Sequence, residues 1–208
     1  MRKKLYIVGA GGHGQVVLNC AQEAGFEVGG FLDDNEILWG KSIQGIEIVG
    51  RVLLAKEIDG LFVVAIGDNF KRKKIVESLM LDDGKFATII HPKAIIGSNV
   101  VILPGSMILG GVVINTSTFI GRHTILNTSS SIDHHNSIAD FVHIAPGVHT
   151  GGSVSVGELS FIGIGAAVIN NIKIGKEVVI GAGSVLINDV PDCATVVGNP
   201  GRIVKMKG

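Results

Sequence analysis

The sequence predicts a small α/β domain followed by a parallel β-solenoid, and three observations carry that expectation. Aliphatic residues recur at fifteen of the sixteen sixth positions from Ile96 to Leu186. A short apolar run, Leu5 to Val8, opens directly onto a glycine-rich loop, Gly9-Ala10-Gly11-Gly12-His13-Gly14. Within the first 90 residues, apolar strand-like runs alternate with helix-spaced segments.

The amino-terminal elements follow in order. Leu5 to Val8 reads as a buried-type strand. Val16, Val17, Cys20, Ala21 and Ala24 repeat at helical spacing, and Gly25 ends that helix. Val28 to Leu32 is a second strand closing on Asp33-Asp34, and Ile46 to Ile48 a minor one. Leu61 to Ile66 is the clearest strand, stopping at Gly67-Asp68-Asn69. Asn69 is placed to cap a helix carrying Ile75, Val76 and Leu79, with Lys71 to Lys74 on its solvated side. Strand, helix, strand implies a parallel, doubly wound sheet. Residues 1–90 hold one mononucleotide half of such a fold, a half-Rossmann-like domain.

Gly9, Gly11 and Gly14 match G-x-G-x-x-G. Glycine lets backbone approach a pyrophosphate, and the helix start supplies N–H donors and positive dipole. Asp33 lies 19 residues after Gly14, the spacing of a ribose-binding acid. A half-fold suits a mononucleotide or nucleotide-linked sugar better than a dinucleotide. The plainer alternatives are a glycine turn without ligand and an ordinary Asp33-Asp34 turn. Gly67 ends a strand on the same carboxyl edge.

Of the sixteen sixth positions from Ile96 to Leu186, fifteen are aliphatic, and Thr150 is the exception. A period of six is a short strand plus a turn. The periodic residue and the one two before it share the inward face. The residue after it is often Gly, Asn or Asp, which assigns it to a corner with left-handed backbone. So small a repeat buries its apolar face only by stacking. Three strands per turn give 18 residues per coil, so Asn115, Asp133 and Gly151 stack in one column. Asp133 and Asn127 thereby acquire corner roles.

The solenoid carries His123, His134, His135, His143 and His149, read as an outward-facing cluster. His143 precedes a periodic residue and is expected to point outward. Three readings compete: solvated surface or an intersubunit seam, a metal site, or a general base titrating near neutrality. Metal ranks below the base, because adjacent His134 and His135 diverge on a strand and no third ligand joins them. His91-Pro92 forms the junction between the two parts.

The formal charge is zero, with 18 basic and 18 acidic residues, which argues against nucleic acid as a partner. No apolar run approaches the ~20 residues of a membrane span. Residues 1–12 lack signal-peptide features, so a cytoplasmic location is expected. Cys20 and Cys193 are expected to be free thiols.

The hexapeptide repeat, the tail Val197-Gly198-Asn199-Pro200-Gly201-Arg202 and the opening Ile7-Val8-Gly9-Ala10-Gly11-Gly12-His13-Gly14 together resemble sugar acyltransferases of the left-handed β-helix class. The nearest type is the UDP-4-amino-sugar N-acetyltransferase of bacillosamine synthesis; perosamine N-acetyltransferases and sialic acid O-acetyltransferases share the layout. The resemblance spans nearly the whole chain. It implies division into residues 1–90, binding the nucleotide-sugar, and residues 91–208, the acyltransferase solenoid. It implies a homotrimer with sites between subunits, acetyl-CoA as co-substrate and no metal. By motif position it makes His134 the base, places Asn127 near the acceptor amine and gives His143, Ile164 and Ala182 to acetyl-CoA. It gives Gly11, Gly12, His13, Asp33, Asp34 and Gly67 to the nucleotide-sugar. Where the family has Glu or Asp after its base histidine, this chain has His135, so His135 joins the catalytic candidates. With no nucleophile elbow or Ser-His-Asp order present, direct attack on the thioester is expected. The implied reaction is N-acetylation of a UDP-linked 4-amino-4,6-dideoxy sugar. The alternatives are O-acetylation of a sugar such as sialic acid, and a non-catalytic nucleotide-binding trimeric scaffold.

Overall fold

A computed structural model describes residues 3–206. The amino-terminal sheet contains β1 (Leu5–Val8), β2 (Val28–Leu32), β3 (Ser42–Ile43), β4 (Ile46–Gly50) and β5 (Leu61–Val64), in the order β3-β4-β2-β1-β5. All neighbours run parallel except the β3–β4 hairpin. Strand alternation sorts the sheet's side chains. Leu5, Ile7 and Val63 pack with Val17, Leu18 and Ala21 of helix α1 (Gly12–Glu23). Val8, Phe62 and Val64 pack with Leu79 of helix α2 (Asn69–Leu79) on the opposite face. The sheet is thus covered on both sides, as its apolar strands require.

The remainder is a left-handed parallel β-helix. Two-residue strands every six positions form three walls, each pairing with strands 18 residues away. The first wall runs from Ile95–Ile96 to Val185–Leu186 and the second from Val101–Ile102 to Lys173–Ile174. The third begins at Ile89–Ile90, so the solenoid starts inside the segment expected to end at residue 90. It closes on a hairpin of Ala194–Val197 with Arg202–Met206.

The periodic residues fill the solenoid core, Ile108, Ile114, Ile120, Leu126, Ile132 and Ile138 being fully buried. Thr150 keeps the register, pairing with Ile132, and its buried hydroxyl accepts a hydrogen bond from the Asp133 N–H at 3.4 Å. Polar residues two before the periodic one are also buried. Ser106, Thr118, Thr124 and Ser160 each donate to a carbonyl fifteen residues on, in the next coil's corner. This repeated bond removes the cost of burying a hydroxyl.

The corner assignment needs correcting. Left-handed backbone falls three residues after the periodic position, at Ser117, His123, Ser129, His135 and Phe141 among others, rather than one after. Glycine directly after the periodic residue has a different cause. A Cβ at Gly97, Gly151 or Gly163 would lie within 2.5–2.8 Å of backbone in the next coil. Close stacking of coils selects those glycines; positive φ is carried three residues on, by other glycines such as Gly147 and Gly165 and equally by Asn, Ser, His and even Phe. Asp133 and Asn127 therefore hold their corners through side-chain hydrogen bonds and not through left-handed φ.

The two parts share a core. Outward residues of the third wall, Ile89, Met107 and Ile125, pack into the α1 side of the amino-terminal domain with Cys20 and Ala87. Asn69 does not cap α2; Asp68 does, its Oδ1 accepting from the Lys71 N–H at 2.9 Å. Asn69 is buried and donates to the carbonyls of Leu159 and Ser160 in the solenoid. The basic run 71–74 is not wholly solvated either. Arg72 is fully buried and donates to Ile66, His123 and Phe141 carbonyls at 2.7–2.9 Å. Burial pulls its guanidinium down to about 9, so it stays charged at neutral pH.

Candidate active site

The glycine loop sits at the carboxyl edge of β1. Gly9 has φ +104°, and a Cβ at Gly14 would collide with the Gly9 carbonyl, so both are required by the turn itself. Gly11 and Gly12 are different, because a Cβ at either would meet nothing within 4 Å. Helix α1 starts there without a side-chain cap and without an acid in its first turn. Free N–H donors and the helix dipole therefore face open space.

Asp33 braces this loop. Its Oδ2 accepts from the Ala10 N–H and its Oδ1 from the Asn35 N–H, both at 2.9 Å, while its carbonyl accepts from the Trp39 indole at 2.7 Å. Asp34 accepts from the Val52 N–H at 2.9 Å. Both acids thus organise loops at the carboxyl edge of the sheet.

His13 leaves this edge toward the solenoid, its ring 6.1 Å from that of His143. His143 projects outward from the third wall, but it is buried beneath the amino-terminal domain. Its Nδ1 lies 3.0 Å from the Gly67 carbonyl and its Nε2 3.1 Å from Asn127 Nδ2. Burial pushes both imidazoles down to about 4, and the Arg72 charge adds to this. His123 is likewise buried, packed between Phe86 and Phe141, and held down to about 4 by burial and then Arg72. The histidines therefore do not form one exposed cluster. His123 and His143 belong to the domain interface, and His149 pairs with Ser131 on the first wall.

Asn127 begins the corner between the third and first walls. Its Oδ1 accepts from the Thr128 N–H at 2.8 Å. Eighteen-residue stacking places Ile164 and Ala182 along this same corner, where Gly147, Gly165 and Gly183 donate to Thr128, Pro146 and Ile164 one coil below. Ile164 is 60% exposed, an apolar rib on the open edge.

His134 and His135 occupy another corner, between the first and second walls. Asp133 Oδ1 accepts from the His134 N–H and from Asn115 Nδ2, each at 2.8 Å; these bonds, led by Asn115, hold its carboxyl below the usual range. Asp133 thus fixes the corner and does not touch the His134 ring nitrogens. His134 Nδ1 lies 2.9 Å from His135 Nδ1. The His134 ring covers Gly152, where a Cβ would fall 2.6 Å from Nε2. Asn136, which sequence reasoning passed over, donates to the Asp133 and Gly151 carbonyls at 2.7 and 2.9 Å beneath this corner. Its signal was present: it is a large amide in an inward slot that elsewhere holds small or β-branched residues. Arg72 and Gly152 were also missed, since the burial of the first and the ring covering the second come from segments distant in sequence.

Among the described residues, no group of three or more His, Cys, Asp or Glu is placed to hold a metal, and no helix is long and apolar enough to cross a membrane. Cys20 and Cys193 are free thiols.

Residues 4–79 match the family model described as PglD N-terminal domain. The chain is 34% identical to the GDP-perosamine N-acetyltransferase of Escherichia coli O157:H7, over 96% of this chain and 95% of that protein. It is 37% identical to the UDP-N-acetylbacillosamine N-acetyltransferase of Bacillus subtilis, over half of each chain. The fold superposes on the acetyltransferase domain of PglB from Neisseria gonorrhoeae in complex with acetyl coenzyme A, with a TM-score of 0.89, 32% identity and coverage of 98% of this chain and 100% of that one. PerB from Caulobacter crescentus, in complex with CoA and GDP-perosamine, superposes with a TM-score of 0.88 and 32% identity over 99% and 97% of the two chains. Taken with the half-Rossmann domain, the six-residue solenoid and the histidine-bearing corner, this likeness establishes that the chain belongs to the hexapeptide-repeat sugar acyltransferases and is an acetyl-CoA-dependent sugar acetyltransferase.

Proposed function

We propose that the protein N-acetylates the amino group of a nucleotide-linked 4-amino-4,6-dideoxy sugar, with His134 as general base. The observation that carries this reading is the approach of the open, uncapped Gly11-Gly12 loop to the Asn127 corner, by way of the His13 ring 6.1 Å from that of His143, which is hydrogen-bonded to Asn127. The diphosphate takes the helix start. Gly67, Asp33 and Asp34 border the nucleoside, and the sugar reaches toward Asn127. Acetyl-CoA lies along the corner of Ile164 and Ala182. Both UDP- and GDP-linked relatives support a nucleoside diphosphate.

The amine lone pair attacks the thioester carbonyl carbon and forms the N–C bond. Collapse of the tetrahedral centre breaks the C–S bond and expels the CoA thiolate. His134 Nε2 takes the proton lost by the amine and returns it to the thiolate. For Nε2 to be unprotonated, Nδ1–H must donate, and His135 Nδ1 is the acceptor in reach. By accepting at Nδ1, His135 fixes the tautomer without adding negative charge.

In one chain, His134 and Asn127 stand on different corners. A complete site therefore draws His134 from a neighbouring subunit, which is the reason for a trimer. The test is an acceptor panel of UDP-, GDP- and dTDP-linked amino sugars with acetyl-CoA. His134→Ala is expected to lower turnover by about 10²–10⁴-fold. Gly12→Val, at a position where a Cβ meets no other atom within 4 Å, is expected to block the nucleotide loop. Co-expressing the two inactive variants should restore activity at about a quarter of sites by random mixing of subunits. No acetylation of any acceptor would overturn the reading, and absence of complementation would overturn the shared site.

A further inference from the structure

We infer that His143 is a positioning residue for Asn127 and offers no ring nitrogen to acetyl-CoA; this rests on the acetyl-transfer reading above. The hydrogen-bond directions are set by chemistry. The Gly67 carbonyl only accepts, so His143 Nδ1, 3.0 Å away, carries the proton and donates. Burial keeps the ring neutral, so Nε2 bears a lone pair and accepts. The group facing it at 3.1 Å is therefore the Asn127 amide nitrogen, donating. The opposite amide rotamer would set oxygen against a nitrogen lone pair. Asn127 Oδ1 is turned the other way, where it accepts from the Thr128 N–H at 2.8 Å; the Thr128 hydroxyl, 3.4 Å away, is a weak second donor that can rotate off and leave that lone pair to the open corner.

The chain of bonds thus runs from Gly67, on the nucleotide edge, through His143 to an Asn127 oxygen presented as an acceptor. An acceptor oxygen is what an incoming amine N–H requires. It orients the nitrogen lone pair toward the thioester, while a donor there would compete for that lone pair. Both ring nitrogens of His143 are consumed within the protein, and T-shaped contact with Phe161 at 5.2 Å covers one side of the ring. The first link is itself anchored, since Arg72 donates to the Ile66 carbonyl at 2.7 Å and to that of Gly67 at 3.4 Å. The loop that borders the nucleotide and the residue that faces the acceptor are parts of one hydrogen-bonded unit.

The experiment compares wild type, Asn127→Ala, His143→Phe and the double variant. Steady-state kinetics use acetyl-CoA with the best nucleotide-linked amino sugar, CoA affinity is measured by calorimetry, and folding is followed by thermal unfolding. His143→Phe is expected to lower kcat by about 10–100-fold, the scale of a misoriented reactant. CoA affinity and the KM for acetyl-CoA should stay within about twofold, and the double variant should be no slower than Asn127→Ala. Loss of CoA affinity in His143→Phe, or additive losses in the double variant, would overturn the inference. Nitrogen NMR of imidazole-labelled protein reads the same point without turnover. Nδ1 of His143 should be the protonated nitrogen, and the Nε2 signal should move on Asn127→Ala. Protonation at Nε2 instead would overturn it even if the acceptor panel finds no substrate.

Discussion

Gly152 shows how much of this site rests on an absent atom. Its Cα lies under the His134 imidazole, and nothing in the six-residue repeat asks for glycine there. The His134 corner is otherwise held by Asp133 from the side and Asn136 from below. Gly152→Ala places a methyl group where the ring now lies and displaces Nε2. A misplacement of about 1 Å costs on the order of 10²-fold in rate. The expectation is a fall of that size in kcat, with little change in thermal stability or in CoA affinity. Unchanged turnover would mean that the His134 position seen here is not the working one.

Among the elements, helix α2 does most to join the two domains. Asp68 caps it, Asn69 bonds two solenoid carbonyls, and Arg72 reaches carbonyls on both sides of the interface. Among the described residues no carboxylate forms an ion pair with Arg72; it is held by carbonyl dipoles and by the Asn69 Oδ1 at 2.7 Å. Hydrogen bonds to a charged donor contribute about 1.5–3 kcal/mol each, and stranded carbonyls cost more. Arg72→Leu is therefore expected to destabilise the fold by about 3 kcal/mol or more. Chemical unfolding measures this loss, and proteolysis should cut first near residues 80–88, between the domains. Helix α1 covers the third wall beside it. There the outward residues Met107 and Ile125 are buried and apolar, whereas the later strands of the uncovered second wall carry Ser137, Ser155 and Lys173.

Across the whole molecule, the interface is where pH acts. His13, His123 and His143 are buried there as neutral rings near pKa 4, against an ordinary value near 6.5. The folded value lies below the unfolded one, so unfolding takes up protons between the two. The stability these residues contribute is complete above the unfolded value and is lost as pH falls from about 6.5 toward 4. Thermal unfolding should therefore show a melting temperature that drops steeply across that window, with uptake of up to three protons. His123→Leu should remove about one proton from that uptake. A flat profile between pH 6.5 and 4.5 would mean that these rings are not buried as seen. The separation of His134 from Asn127 within one chain acts at the same scale, since no single chain assembles the proposed site.

The sequence by itself determined the repeat, the three-walled solenoid, the order of the α/β elements and the candidate glycine, asparagine and histidine positions. These are local quantities: a period, a spacing, a turn composition. It left the cause of the corner glycines, the burial of Arg72 and His143, and the division of the histidines to the tertiary structure. Gly97 looks like a turn residue until the next coil is seen lying against it. Arg72 looks like one of four exposed cations until α2 docks on the corner between the second and third walls. His143 was legible as outward-facing, but what lies outward is a second domain 76 residues earlier in the chain, whose Gly67 carbonyl settles the tautomer. Periodicity reports which way a side chain points; only packing decides what it meets, because burial and hydrogen-bond partners come from segments that no local pattern relates.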